Sequence, residues 1–100
     1  MKEMGEKVSV DGHIFDTGMA KKHWDLEWFD SHSNLHSGDL YVSTTDVWYA
    51  LSPSQWSNGH SWELLGSGEK GAKEALLRYS DYLEQSEIEE IAEMGKVQFE

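Results

Sequence analysis

Hydrophobic and polar residues alternate along the first two thirds of the chain and recur at helical spacing in the last third. The clearest alternation, HWDLEWFD from 23 to 30, places Trp24, Leu26 and Trp28 on one face. The other face carries polar residues and Phe29. A strict period of two predicts a half-buried antiparallel strand, with one face in the core and the other directed outward.

Shorter alternating runs predict further strands on either side of this one. Asp11-Gly12 lies between two such runs and indicates a two-residue hairpin turn, because that turn requires positive φ at both central positions. In this register Val10 faces His13 and Val8 faces Phe15. The runs predicted as strands in this way are 7–10, 13–16, 40–44, 47–51 and 61–65.

Polar segments separate these strands. The longest runs from Ser31 to Gly38 and is predicted to be a loop. A second segment, 52–56, has the spacing of a capping box with Pro53 in the first turn, and it predicts a short helical turn that ends at Asn58-Gly59. The alternative is an Asn-Gly hairpin in the same place.

Two helices are predicted after Gly66-Ser67-Gly68. In the first, apolar residues recur at helical spacing from Ala72 to Leu83. The second begins with a capping box at Ser86 and Glu89 and ends at Gly95. The pattern as a whole predicts an α+β fold, with an antiparallel β-sheet of four to six strands and two C-terminal α-helices packed on one face. One domain spans 1–100, with a β-rich part at 7–65 and an acidic helical part at 69–95.

Composition narrows the class of protein. The chain has 100 residues, no cysteine and a formal net charge of −11. Its size fits one domain, and the missing thiols exclude disulfide scaffolds and cysteine-ligated metals. No apolar run is long enough for a membrane span, and the N-terminus lacks the pattern of a secretory signal. We therefore expect a cytoplasmic protein that binds neither membranes nor nucleic acid directly.

Patterns typical of catalytic or metal-binding sites are scarce in the sequence. His32 and His36 are four residues apart with Asp30 and Asp39 on either side, but the segment reads as a loop and no third ligand follows a known zinc spacing. Serines are plentiful, yet none has the surroundings of an activated nucleophile. The sequence thus predicts a protein that is not an enzyme and has no metal or cofactor.

Acidic and aromatic residues are the stronger signals. Residues 81–93 hold six carboxylates and no basic side chain. Such a helical face creates a negative field that attracts a basic partner and imitates the phosphates of a nucleic acid. Exposed aromatic residues often anchor binding surfaces. The residues predicted to bind the partner are Asp81, Glu84, Glu87 and Glu90, with Phe29 and Trp48 as outward-facing hydrophobic anchors.

These signals lead to one main functional hypothesis and two alternatives. The main one is a small acidic inhibitor that occludes a basic, nucleic-acid-binding surface of a larger protein, as anti-CRISPR and other DNA-mimicking proteins of phages and mobile elements do. The first alternative is a ligand- or carbohydrate-binding module that stacks sugars on Trp48, Trp56 and Tyr41. The second is a metal-dependent hydrolase built around His32 and His36.

Overall fold

The predicted α+β class is confirmed by the computed structural model, which describes residues 6–52 and 61–100. In these two ranges six strands precede two helices, and short 3-10 turns cover Thr17–Met19 and Ser80–Tyr82. The elements are β1 (Lys7–Val10), β2 (His13–Asp16), β3 (Lys22–Phe29), β4 (Leu35–Val42), β5 (Val47–Leu51), β6 (Trp62–Ser67), α1 (Gly68–Tyr79) and α2 (Gln85–Gly95). The helical turn predicted after Ser52 lies outside the described residues, and so does Trp56.

The strands form two antiparallel sheets. β3, β4, β5 and β6 follow one another in a four-stranded sheet, and β1 pairs with β2 in a separate hairpin. The hairpin has the predicted register, with Val8 opposite Phe15 and Val10 opposite His13. Asp11 and Gly12 have φ values of 49° and 84°, the left-handed conformation that the short turn requires.

Both helices pack on one face of the four-stranded sheet, as predicted. Trp24 and Leu26 are buried there, and the Trp24 ring stacks on the Trp48 ring at a centroid distance of 5.6 Å. From the helices, Leu76 and Ile91 complete this core. Within the described ranges, no helix is long and apolar enough to cross a bilayer.

The β1–β2 hairpin packs on the opposite face of the sheet. Its Phe15 ring stacks on Tyr49 at 3.9 Å, and Val8 and Val10 complete a second buried cluster. β5 therefore lies between helices on one side and the hairpin on the other, so its central residues are buried on both faces. The sequence pattern did not reveal this because it did not show where the hairpin would dock.

β4 is longer than predicted. It begins at Leu35, inside the segment expected to be a loop. The Asp30 carboxylate shortens the connection, since its Oδ1 accepts hydrogen bonds from the backbone N–H groups of His32 and Asn34 at 2.8 and 3.0 Å. Ser33 completes the turn with a φ of 65°. Side-chain capping of this kind favours a tight turn over an extended loop.

The ends of α2 also differ from the prediction. The helix starts at Gln85 rather than after Ser86, because the Glu87 carboxylate accepts a hydrogen bond from the Glu84 backbone N–H at 2.9 Å. Its left-handed C-terminal residue is Lys96, with a φ of 59°, and not Gly95. Gly95 is needed for another reason, since a methyl group there would overlap the Ala72 side chain on α1.

Candidate partner-binding surface

The predicted anchors Phe29 and Trp48 differ in exposure, since one side chain is exposed and the other is buried. Phe29 is 67% exposed at the end of β3, so the structure bears out its predicted outward direction. Trp48 is 1% exposed and lies in the helix-side core, so its predicted exposure is wrong. In the observed register Trp48 pairs with Val42 and shares a face with Trp24, whereas Phe29 is on the other face.

Glu90 belongs partly to the structural framework. Its Oε1 accepts a hydrogen bond from Trp24 Nε1 at 2.9 Å, and its Oε2 lies 3.0 Å from Lys22 Nζ. The hydrogen bond from Trp24, followed by the one from Lys22, lowers the pKa of Glu90 below its usual range. Of the acids predicted to bind a partner, Glu90 is therefore the one already neutralised within the chain.

Glu84 and Glu87 also have structural roles, because they close the first turn of α2. Neither forms an ion pair with a described residue, so both keep their charge available to a partner. Asp81 is exposed and likewise has no ion pair in the described parts of the chain.

Glu89 and Glu93 are further acids of α2 that have no ion pair among the described residues, although the sequence pattern did not single them out. Both are exposed and stand four residues apart on α2, so they lie on the same side of the helix about 6 Å apart along its axis. Both belong to the acid-only run at 81–93, but only acids thought to lie away from Ile88 and Ile91 were predicted to bind the partner. We call the residues Asp81, Glu84, Glu87, Glu89 and Glu93 the acidic ridge.

A second group of charged residues lies on the hairpin-side face of β3 and β4. Asp25 is directly opposite Asp39 in the strand register, and His23 bridges the two carboxylates. His23 Nε2 lies 2.7 Å from an Asp39 oxygen and 3.6 Å from an Asp25 oxygen. Like charges facing each other across strands are destabilising, and the imidazole between them relieves that repulsion when it donates or carries a proton.

These same three residues have the donor atoms for a divalent metal. Among residues 6–52 and 61–100 they are the group whose imidazole and carboxylate ligand atoms lie within 4.8 Å of one another. A nitrogen with two carboxylate oxygens suits zinc or a related transition metal. The group is not evident from the sequence, because Asp39 is distant along the chain and joins His23 and Asp25 only through the pairing of β3 with β4.

His32 and His36 do not gather metal ligands in the described residues. His36 is part of β4, where its ring stacks on Trp28 at 4.7 Å and its Nε2 lies 2.9 Å from an Asp30 oxygen. The hydrogen bond with His36, assisted by backbone donors, lowers the pKa of Asp30 to about 2. The expectation that both histidines lie in a loop is therefore wrong for His36, whose side chain is only 12% exposed.

The aromatic residues on the hairpin-side face stack on one another. Tyr41 lies between His23 at 4.7 Å and Tyr49 at 5.2 Å, and Trp62 contacts both tyrosine rings. Burial raises the pKa of Tyr41 and Tyr49 to about 12, so both hydroxyls stay protonated at neutral pH. Since Trp48 is buried and Trp56 lies outside the described residues, Tyr41 remains as the described platform for a sugar, and it is partly buried against the hairpin-side cluster.

Beyond this aromatic row, the sheet ends in an uncovered apolar pair. Phe29 and Leu35 face each other across β3 and β4, with exposures of 67% and 54%. The hairpin-side face of β3 and β4 therefore carries the carboxylates of Asp25, Glu27 and Asp39, with one apolar pair at its end. Comparison with protein-family models, with curated proteins and with solved structures finds no match to this chain.

Proposed function

We propose that this protein is a small non-enzymatic inhibitor that binds a basic, nucleic-acid-binding surface of a larger partner and competes with the nucleic acid for it. The observation that carries the proposal is that no basic side chain of the described residues neutralises the negative charge of the acidic ridge. Its five carboxylates form no ion pair with any described residue, whereas Glu63, Glu74 and Glu90 do.

Unpaired carboxylates close together along the chain favour an external cation. Repulsion between neighbouring acids on a helix is destabilising by a few tenths of a kcal/mol per pair. A partner rich in arginine and lysine removes that repulsion and gains charge-assisted hydrogen bonds. Clustered charge of one sign also accelerates the encounter with an oppositely charged protein.

The same charge pattern indicates which kind of partner surface the acidic ridge binds. A site that holds nucleic acid presents several basic side chains to successive phosphates. Glu89 and Glu93 are about 6 Å apart along the axis of α2, so one strip of basic side chains can contact both. A phage or mobile-element antagonist of the anti-CRISPR or DNA-mimic type is the biological role that this mode of binding suits.

Affinity capture from the native host tests the proposal. The immobilised chain should retain a basic protein at low salt, and a double-stranded DNA or an RNA oligonucleotide should release that protein in proportion to its concentration. Exposed charges are screened over about 8 Å at physiological ionic strength, so retention should fall steeply with added salt. The chain alone should not shift either oligonucleotide in a gel.

Two charge-matched variants locate the surface. The first reverses Asp81, Glu89 and Glu93 to lysine, which leaves the capping residues of α2 intact. The control reverses the exposed Glu6, Glu69 and Glu100, so that the net charge changes by the same amount. The proposal requires a much larger loss of binding for the first variant. Equal losses, or a captured protein that nucleic acid does not displace, would refute it.

A further inference from the structure

The free edge of β3 is a second feature of the molecule, and it has the geometry of a strand-binding site. We propose that an extended, basic segment of the partner adds to this edge as a further strand of the sheet. This inference rests on the proposed function for the sign of the partner's charge. It goes beyond that function by assigning the backbone of β3 as a recognition element.

The edge is long and regular. β3 is the first strand of the four-stranded sheet, and in the described residues its outer side has no paired strand. All eight residues, Lys22–Phe29, pair with β4 without a shift in register, and the segment contains neither proline nor glycine. Proline, bulges and short length are the usual means by which proteins block an edge, and β3 has none of them.

The backbone groups available for pairing are those of alternate residues. Asp30 donates its backbone N–H to Asn34 at the end of the β3–β4 hairpin. Because antiparallel ladders alternate, the even-numbered residues of β3 pair with β4 and the odd-numbered ones direct their N–H and C=O groups outward. The outward groups therefore belong to His23, Asp25, Glu27 and Phe29.

Side chains on the hairpin-side face of this edge favour a basic strand. Asp25 and Glu27 are exposed on the hairpin-side face, and neither carboxylate has a lysine or arginine within ion-pair distance among the described residues. Glu90 approaches the edge from the helix side through Trp24 and Lys22. An added strand would alternate its side chains between the two faces of the sheet, so lysine or arginine directed to the hairpin-side face meets Asp25 and Glu27.

The apolar pair at the end of the edge supplies a contact of a different kind. Phe29 and Leu35 are exposed side by side where β3 ends. An apolar residue near one end of the added strand would cover them and fix its register.

The charges also disfavour a second copy of this chain as the occupant. Two β3 edges placed side by side would bring Asp25 and Glu27 against the acids of the other copy. Each copy also carries a net charge of −11. Charged side chains on an edge normally prevent unwanted strand pairing. Acidic side chains do so selectively, because they attract a basic strand and reject acidic or apolar strands.

The test uses a defined peptide and the full chain. The probe is an acetylated and amidated eight-residue peptide of alternating lysine and valine. The control peptide has the same sequence but carries N-methyl groups on alternate residues, so that the peptide edge facing β3 cannot donate hydrogen bonds. We expect the first peptide to slow hydrogen exchange at the amides of His23, Asp25, Glu27 and Phe29, and the N-methylated peptide to bind at least tenfold more weakly.

A pair of variants separates backbone pairing from charge. Glu27→Pro removes an outward N–H and the charge, whereas Glu27→Gln removes the charge alone. Because the backbone N–H of residue 27 is not needed for pairing with β4, we expect both variants to fold, and circular dichroism checks this. Binding at least tenfold weaker for the proline variant supports strand addition. Equal affinities, unchanged exchange at the outward amides, or a peptide that causes self-association instead would overturn it.

The same variants distinguish this inference from the proposed function. If the host partner binds Glu27→Pro as well as Glu27→Gln and nucleic acid still displaces it, strand addition is refuted and the acidic ridge accounts for binding. If the partner discriminates between the two variants but nucleic acid does not compete, the edge is a binding site and the proposed function is wrong.

Discussion

Trp24 Nε1 donates a hydrogen bond of 2.9 Å to Glu90 Oε1, and this contact joins the edge strand β3 to helix α2. The two residues are 66 positions apart in sequence. Lys22 contacts the other oxygen of the same carboxylate, so one side chain of α2 holds two residues of β3. Glu90 therefore ties the free edge of β3 to α2, the helix that also carries Glu87, Glu89 and Glu93.

Replacing Glu90 should therefore destabilise the fold. We expect Glu90→Ala to lower the free energy of unfolding by about 1 kcal/mol, the usual net value of such a hydrogen bond, and Glu90→Gln to lower it less because an acceptor remains. Since the folded-state pKa is lowered, the stabilisation is present above the unfolded-state pKa and is lost as pH falls through the folded-state value. Urea titrations at several pH values measure both effects, and equal stability of Glu90→Ala and the original chain would contradict the role of this contact.

Asp30 should have a distinct acid titration. Its hydrogen bond with His36, with help from backbone donors, lowers its pKa from the ordinary 3.8 to about 2. The lowered value means that its contribution to stability is present above pH 3.8 and disappears as pH falls toward 2. Nuclear magnetic resonance of the side-chain carboxyl carbon should show this midpoint directly.

Asp30→Asn supplies the control for that titration. The variant should lose the stability change between pH 3.8 and 2 that we assign to Asp30. A carboxyl midpoint near 3.8 in the folded chain would show that the turn does not hold the carboxylate as described.

Tyr49 has a buried hydroxyl without a hydrogen-bond partner among the described residues. Its ring is fully buried against Phe15, and desolvation, followed by the nearby Asp16 charge, raises its pKa. Because an unpaired buried polar group costs about 1–3 kcal/mol, we expect Tyr49→Phe to leave stability unchanged or to increase it. Tyr49→Leu, which also removes the stack, should be destabilising. Thermal unfolding of the two variants measures the difference, and a marked loss for Tyr49→Phe would show that the hydroxyl is satisfied.

Local patterns predicted most of the strands, because alternation and turn residues act within a few positions. The Asp11-Gly12 hairpin and the buried face of β3 follow directly from such patterns. The position of Trp48 could not be predicted in this way. Its burial depends on which face of β5 meets the helices, and a strand covered on both faces has no polar side to indicate the direction.

The candidate site was predictable in charge but not in arrangement. The acid-only run at 81–93 identified α2 as the acidic element. The sequence could not show that Glu90 is neutralised, because Trp24 and Lys22 meet it only after β3 and α2 pack together. The grouping of His23 with Asp39 likewise arises from the β3–β4 register.

Gly95 should tolerate alanine poorly, although alanine normally favours helices. A methyl group at this position would overlap the Ala72 side chain where α1 and α2 meet. We expect Gly95→Ala to lower the free energy of unfolding by about 1–3 kcal/mol, the typical effect of overpacking. Ala72→Gly should partly restore stability in the double variant despite its own helix-propensity cost of about 1 kcal/mol. Additive losses in that double-mutant cycle would mean that the two positions do not contact each other.

The Phe29–Leu35 pair offers the last prediction, because it contributes contact area without charge. Changing both residues to serine should alter stability by no more than about 0.5 kcal/mol per site, since both are exposed. If an apolar residue of the partner covers the pair, affinity should fall severalfold while the dependence of affinity on salt stays the same. Reversing the acids of the ridge should instead reduce that salt dependence, because it removes screened charge pairs. Isothermal titration calorimetry of both variants at three salt concentrations separates the two contributions, and an unchanged affinity for the serine variant would exclude the pair from the interface.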